Sequence, residues 1–531
     1  MVPSCFATCS RAALHHSKGF HSSARRHVPK AWSVAKLLDS KPSDPEGVVV
    51  NGWIRSIRNQ KSVSFAAIVD GSSMETLQAT LTPSQAESLS NGAAVRLTGL
   101  WRGTPKSKHQ SHELYVQDVK IMGPSSAEVS KARLSHSSLT AGSSKLISKW
   151  QDYPLQKKYQ SPENLRAMPH IRSRTPFNAA MLRLRSQSIA QLTRFFADRD
   201  FTQTHPPIVT SSDCEGAGEV FWLSAREDRK EAVSAEDDGS FFRSRKYLTV
   251  SSQLHLEALA QSVGDVWTLS PTFRAEKSET ARHLSEFYML EAEMPFIDDM
   301  SSLMDLIEDM LRNLTMNLYE TQVGQEILHG ARSKPEGVVK DQVLEAELEK
   351  RWKGMMAPSW PRISYSEAIE ILQRSKFTHR PVWGEGLQAE HEKYIASTIG
   401  KGMPVFVTGY PKKIKPFYML PSVGAASSQE TVECFDLLVP EVCEIAGGSM
   451  REHRSHELLE AMREHKLIKD GKAGTDAILG PLKWYAELRQ WGSVPHGGFG
   501  LGFDRLLAYL AGVPNVKEVV TFPRWVGRCD C

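Results

Sequence analysis

Between residues 46 and 122, apolar and polar positions alternate with a period of two in five separate runs: VVVNGWIRSI, SFAAIVDG, TLQATL, AVRLTGLW and HELYVQDVKIMG. Alternation rich in β-branched and aromatic residues, punctuated by Gly or Asn-Gly, predicts short strands with one buried face. Five such strands with one helical piece between them (SQAESLS) suit a small barrel of the OB kind. From about residue 178 the period changes. NAAMLRLRSQSIAQLTRFFADR and DLIEDMLRNLTMNLYE carry apolar residues at helical spacing and predict long amphipathic helices. Strand-like runs lie between and around them: HPPIVT, KYLTVSSQL, VWTLSPTFRAE and FYMLEAEMPF. There is no internal repeat and no regular βαβ alternation, so the second unit is expected to be an α+β domain built on an antiparallel sheet. The domain expectation is therefore a barrel at 46–124, a linker and hinge at 125–177, and the larger domain at 178–524. PSSAEVSKARLSHSSLTAGSSK reads as a flexible linker, and 153–175 as a basic hinge with interleaved Tyr and Pro. The charged stretch 226–246 reads as an exposed loop. Residues 322–360 carry no motif and read as a helical insertion.

Length and charge alter this picture only at its edges. A chain of 531 residues exceeds one ordinary core, and 40% hydrophobic with 24% charged residues is a soluble globular balance. The excess of 65 Lys and Arg over 61 Asp and Glu permits a nucleic-acid partner without arguing for one. No apolar run approaches the roughly 18–20 residues that span a bilayer, so no membrane partner is expected. The scattered cysteines form no CxxC pair or zinc-ligand spacing, and Cys529 and Cys531 read as an exposed tail before a metal site. The amino terminus is more informative. No Asp or Glu precedes Asp39, while Arg11, Lys18, Arg25, Arg26, Lys30 and Lys36 sit among Ser, Ala and His. That is the composition of an organellar import signal, so residues 1–30 are expected to be a transit peptide and the mitochondrial matrix the destination. A basic tail touching RNA is the alternative.

Three segments carry chemistry: THPPIVT with Pro207, FRAEKSETARHLSEF from Phe273 to Phe287, and GFGLGFDR from Gly498 to Arg505. Each is weak alone. In this order they resemble the three signature motifs of class II aminoacyl-tRNA synthetases. The chemistry of that family needs ATP held with its α-phosphorus facing a carboxylate, and cations on a transition state that gains negative charge. The resemblance implies that Arg274, a planar fork suited to phosphate oxygens, serves the α-phosphate and that Arg505 clamps the γ-phosphate; these are the expected catalytic pair. It implies Phe287 as the ring on which adenine stacks, Glu276 as acceptor for its exocyclic amine, and His283 in the loop closing over the phosphates. Asp436 and Glu444 look like the acidic pair for Mg²⁺, a hard cation preferring oxygen ligands. No general base is required, because the substrate carboxylate is already ionised. The segment around Pro207 implies a homodimer.

EGAGEVF at 215–221, RHLSEFYMLEAE at 282–293 and EIAGGSMREHR at 444–454 resemble asparaginyl-tRNA synthetases, within the subgroup shared with the aspartyl and lysyl enzymes. The resemblance implies that Glu215 meets the substrate ammonium, that Gln253 lines the pocket, and that Arg451, in a Gly-Gly-Ser449-x-Arg run, bonds the side-chain carbonyl. Aspartyl enzymes look like Gln-Leu-x-Lys where this chain has Gln253 and Leu256. Losing that cation removes the reason to prefer aspartate over its neutral amide. Glu286 is a candidate acceptor for the amide NH₂, or else a structural ion-pair partner. GWIRSIRNQKSVSF resembles the start of the subgroup's anticodon-binding barrel, which implies a tRNA-Asn partner met by Arg55, Arg58, Phe65 and Gln78. The segment between Phe287 and Gly497 is too short for the large extra domain of bacterial-type aspartyl enzymes. An aspartyl enzyme of the same subgroup and a non-catalytic RNA-binding paralogue remain the alternatives.

Overall fold

The computed structural model describes residues 31–40, 47–104, 110–125, 153–155, 160–211, 220–223, 241–242, 244–330, 345–424, 429–468 and 479–531. The expected leader, nearly all of the Ser-rich linker, Glu215 and most of the charged loop at 226–246 lie outside the described residues.

The amino-terminal runs form β1 (Val48–Asn59), β2 (Ser64–Val69), β3 (Leu77–Leu81), β4 (Ala94–Gly103) and β5 (His112–Gly123), closed in the order β1-β2-β3-β5-β4. Alternation does what its period requires: Ala66, Ile68, Leu77, Ala79, Val95 and Leu97 point inward around Trp101 and Leu114. The helix Val34–Ser40 adds Val34 and Leu37 to this core. The short helix Pro83–Glu87 starts at a capping box, in which Thr82 Oγ1 accepts from the Gln85 N–H and the Gln85 side chain accepts from the Thr82 N–H. This is the OB-type barrel that the five alternating runs predicted.

The larger domain is a sheet of eight strands in the order β11-β12-β13-β14-β15-β10-β9-β6. In chain order its members are β6 (Thr202–Gln203), β9 (Val266–Phe273), β10 (Glu286–Pro295), β11 (Arg362–Ser364), β12 (Val405–Thr408), β13 (Cys434–Val439), β14 (Cys443–Met450) and β15 (His496–Gly502). Val209–Thr210 (β7) and Tyr247–Leu248 (β8) pair separately. Pairing is antiparallel from β12 through β9, and parallel only at the two edges. The helices Pro176–Ala197, Ser301–Tyr319 and Phe503–Ala511 cover one face with Leu184, Phe196, Leu303, Leu311 and Leu507. Phe196 stacks on Trp267 of β9 at 4.6 Å between ring centroids. Each such fully buried side chain contributes on the order of 1.5–3 kcal/mol.

Two expectations change. KYLTVSSQL is not one strand: only Tyr247–Leu248 forms a strand, and a helix begins at Gln253. The cause is tertiary. Glu291 of β10 accepts hydrogen bonds from Ser251 Oγ at 2.5 Å and the Ser252 N–H at 3.0 Å, which turns the chain out of extension. Of the motif-free stretch 322–360, the described residues include helices at Gln322–His329 and Glu345–Met355, and these are no appendage. Ile327, Leu328, Leu348 and Trp352 belong to the main core, and Trp352 Nε1 donates to the Leu510 carbonyl at 2.8 Å.

Candidate active site

Strand β10 organises the site. Its period of two sends Phe287, Met289, Glu291 and Glu293 to the open face of the sheet, while Leu290 enters the core. Glu286 has the parity of Leu290. It pairs with Phe273 and bridges to Arg524, and it does not line either cavity described below.

The first cavity, about 130 Å³, is lined by Arg274, Glu276, Arg282, His283, Phe287, Glu444 and Arg505, among others. Arg274 leaves the end of β9, with its N–H donating to the Ser285 carbonyl at 3.1 Å. Its guanidinium lies 5.8 Å from the centre of the Phe287 ring and 3.9 Å from Glu276. His283 Nδ1 is hydrogen-bonded to Ser278 Oγ at 2.9 Å and Thr280 Oγ1 at 2.7 Å, and its Nε2 faces Glu276 at 3.4 Å. Burial holds this imidazole below its ordinary pKa. Glu276 opposes the shift, while Arg505, Arg282 and Arg274 reinforce it. Arg505 Nη1 donates to the Glu444 carbonyl at 2.9 Å.

The second cavity, about 510 Å³, is lined by Gln253, Leu256, Glu291, Glu293, Asp436 and Arg451, and it shares Arg274, Met289, Glu444 and Gly500 with the first. The two are therefore adjoining compartments with Arg274 at the junction. Arg451 is buried and held in a fork: Nε and Nη2 donate to Glu293 at 3.0 and 2.9 Å, and Nη1 donates to Ser449 Oγ at 2.6 Å. Gly498 makes room for this, because a Cβ there would collide with Glu293 Oε2. Behind the pair lies Glu257, one helical turn after Gln253. Its carboxylate accepts from Gln253 Nε2 at 3.1 Å, Tyr485 OH at 2.8 Å and Arg489 Nη2 at 2.6 Å, and it meets His496 Nε2 at 3.1 Å. Burial alone would raise Glu257, but the charge of Arg489, with His496 and Arg451, holds it well below the carboxylate range. Glu257, Glu293 and His496 sit close enough to ligate a metal, but the Arg451 and Arg489 guanidinia already occupy their oxygens, so this is an ionic network.

Asp436 and Glu444 approach each other across the β13–β14 pair. A Cβ on Gly447 would lie 3.3 Å from Asp436 Oδ1 and 3.2 Å from Glu444 Oε1, so both carboxylates converge over that glycine. Lys415 Nζ donates to both oxygens of Asp436 at 3.0 Å. Burial raises the Asp436 carboxyl, Lys415 opposes this, and the charge of Glu444 adds to it. A further acid, Glu392, is pushed up by burial and by Glu444, and it pairs with Arg282 at 3.5 Å.

A family described as "tRNA synthetases class II (D, K and N)" matches residues 161–526, and one described as "OB-fold nucleic acid binding domain" matches 48–122. The mitochondrial asparagine–tRNA ligase of Schizosaccharomyces pombe is 40% identical, with 93% of this chain and 97% of that protein covered. The human asparaginyl-tRNA synthetase is 38% identical over 97% and 98% of the two chains. The chain belongs to the asparagine–tRNA ligase family of class II synthetases. The crystal structure of the Pyrococcus horikoshii asparaginyl-tRNA synthetase, complexed with asparaginyl-adenylate, superposes with a TM-score of 0.73 at 26% identity, covering 94% of this chain and 99% of that one.

For a synthetase of this family the barrel face matters as well. Phe65 is half-buried, with Arg58 opposite it on β1 and Thr80 on β3. Gln78 lies beside them on the same sheet, its Nε2 donating to Glu113 at 2.7 Å. Arg55 falls in the β1 bulge, and burial lowers its pKa against an opposing effect of Tyr153. The sequence reading missed Glu291, Glu293 and Glu257. Two acids at period two inside the apolar run FYMLEAEMPF were the available signal for the first pair; a spacing of four from Gln253 was the signal for the third. For Lys415 and Glu392 there was none.

Proposed function

We propose that this chain charges tRNA-Asn with asparagine in two steps, for translation in the mitochondrial matrix. In the first step the asparagine carboxylate attacks the α-phosphorus of ATP and pyrophosphate leaves. In the second step a hydroxyl at the tRNA 3′ end attacks the carbonyl carbon of the adenylate and AMP leaves. The observation that carries this reading is the pair of adjoining cavities with Arg274 between them. Such a guanidinium meets the phosphate just where the carboxylate must arrive, so catalysis is positioning plus charge stabilisation. Phe287 and Glu276 take adenine, His283 closes the phosphate loop, and Arg505 holds the distal phosphate.

Asparagine is favoured over aspartate because Leu256 forms a wall where an additional cation would be needed, and because the charge of Arg451 is already matched by Glu293. Gln253 and Ser449 help orient the pocket. Glu215 takes the ammonium, while Glu286 is better read as a strand-end residue. Glu444 lines both cavities and Asp436 only the second; their oxygens converge over Gly447 and would hold Mg²⁺ with Lys415 displaced from Asp436, where the ion would neutralise phosphate charge. Arg58, Phe65 and Gln78 form the anticodon-facing surface, with Arg55 at its margin. The acid-free leader supports mitochondrial import, in line with relatives named as mitochondrial enzymes in Schizosaccharomyces pombe and Saccharomyces cerevisiae. The motif around Pro207 supports a homodimer, to be checked by light scattering.

The deciding assay is ATP–pyrophosphate exchange with each amino acid. Exchange driven by asparagine is expected; exchange driven by aspartate alone would overturn the assignment. Removal of residues 1–30 is expected to leave exchange and charging unchanged in vitro, and a large loss of charging would make the leader an RNA-binding arm.

A further inference from the structure

The barrel and the catalytic domain meet at a compact joint. The turn after β2 inserts Ser73 and Met74 beside the helix Gln322–His329, in the stretch whose sequence carries no motif. Glu326 gathers the contacts. Its Oε1 accepts from Ser73 Oγ at 2.9 Å, from the Met74 N–H at 3.1 Å and from Gln322 Nε2 at 2.9 Å, and its Oε2 pairs with Arg183 at 2.8 Å. Ser73 is only 5% exposed, and the Met74 side chain packs against the main catalytic core. The turn itself is braced from the barrel side. Asp70 Oδ2 accepts from the Val34 N–H and Ser72 Oγ from the Ala35 N–H, both at 2.9 Å, while Asp70 Oδ1 takes the Ser72 N–H at 2.9 Å. On the far side, the helix Pro176–Ala197 that carries Arg183 also carries Arg185. Arg185 pairs at 2.6 Å with Asp504, the neighbour of Arg505, and Asp504 in turn accepts from the Tyr288 N–H at 2.8 Å.

We propose that Glu326 is a positioning residue for tRNA charging: it fixes the distance and angle between the anticodon-facing barrel and the adenylate site. The inference rests on the functional reading above. Adenylate formation uses only the two cavities, so it does not depend on where the barrel sits. Charging requires one tRNA to reach the barrel and the Arg274 junction together, so a loosened joint spreads the barrel over orientations of which few are productive. A carboxylate shared by donors from both domains is suited to this work, since each donor is left unsatisfied when it goes.

The test compares Glu326→Ala with Glu326→Gln, which keeps an acceptor for Ser73 and Met74. For Glu326→Ala, kcat/KM for tRNA is expected to fall about tenfold or more, the scale of losing one charge-assisted hydrogen bond. Asparagine-dependent exchange is expected to stay within about twofold, and Glu326→Gln to recover most of the charging. Parallel loss of exchange and charging, or charging that survives in Glu326→Ala, overturns the proposal. Met74→Ala loosens the same joint from the barrel side and is expected to show the same split, so a folding failure of Glu326→Ala leaves the question decidable. Small-angle scattering reads the joint without the reaction: the maximum dimension is expected to grow in both alanine variants. Wild-type protein that charges no tRNA-Asn would sink the functional reading, while an unchanged scattering profile would sink the joint.

Discussion

Replacing Glu293 by Gln keeps the shape of the side chain and removes one buried charge. Arg451 and Glu293 are 3% and 1% exposed, and the guanidinium donates to both carboxylate oxygens. Burial pushes the Glu293 carboxyl up, but two donated N–H bonds require two acceptor oxygens, so the ionised form is the one that fits. In Glu293→Gln one of those oxygens becomes an NH₂ facing a guanidinium. Breaking a buried pair costs about 3–5 kcal/mol. Glu257 lies 4.0 Å from Arg451 Nε and compensates in part, so the lower end is expected. The same excess charge changes selectivity. A substrate carboxylate about 4 Å from an uncompensated cation gains roughly 4 kcal/mol at an effective dielectric near 20. Halving that for the compensation by Glu257 leaves about 2 kcal/mol, so the preference for asparagine over aspartate is expected to fall about 30-fold. The assay is pyrophosphate exchange, read as the ratio of kcat/KM for the two amino acids, with a denaturant midpoint measured alongside. If both activities fall by one common factor and the ratio holds, charge matching is not what selects the amide.

Three further outcomes are expected. Arg274→Ala should lower asparagine-dependent exchange by about 100-fold or more while far-UV circular dichroism is retained; normal exchange in that variant removes Arg274 from the phosphate. Leu256→Lys adds a cation to the pocket wall and should move the asparagine-to-aspartate ratio in the same direction as Glu293→Gln, and a ratio unmoved by it contradicts the pocket argument. Burial pushes the Cys434 thiol up to about 11, against an opposing Lys415, and burial with the charge of Glu392 pushes Cys443 up to about 11. Iodoacetamide at pH 8 should therefore label the exposed Cys529 and Cys531 and spare Cys434 and Cys443 until the chain unfolds, as peptide mass mapping would read.

Much of this protein was legible in its residues because the relevant signals are local. The barrel strands declared themselves by period two, and the helix Pro176–Ala197 by its helical spacing, since side-chain direction is set by backbone geometry alone. FRAE, RHLSEF and GFGLGFDR resemble the family because phosphate chemistry needs those groups on short, nearly fixed stretches of chain. Where local pattern misled, a distant partner intervened: SSQL reads as extended, and Glu291 turns it into a helix start.

By itself the sequence determined the fold class, the family motifs from Phe273 to Phe287 and from Gly498 to Arg505, and the uncharged residue at position 256. Only the tertiary structure decided who pairs with whom. Arg451 meets Glu293 across 158 residues, and Ser73 meets Glu326 across 253. Those meetings depend on the strand order β14-β15-β10 and on the docking of the barrel. Neither leaves a trace in local periodicity, because a buried carboxylate and its guanidinium can be drawn from any two strands that the fold makes neighbours.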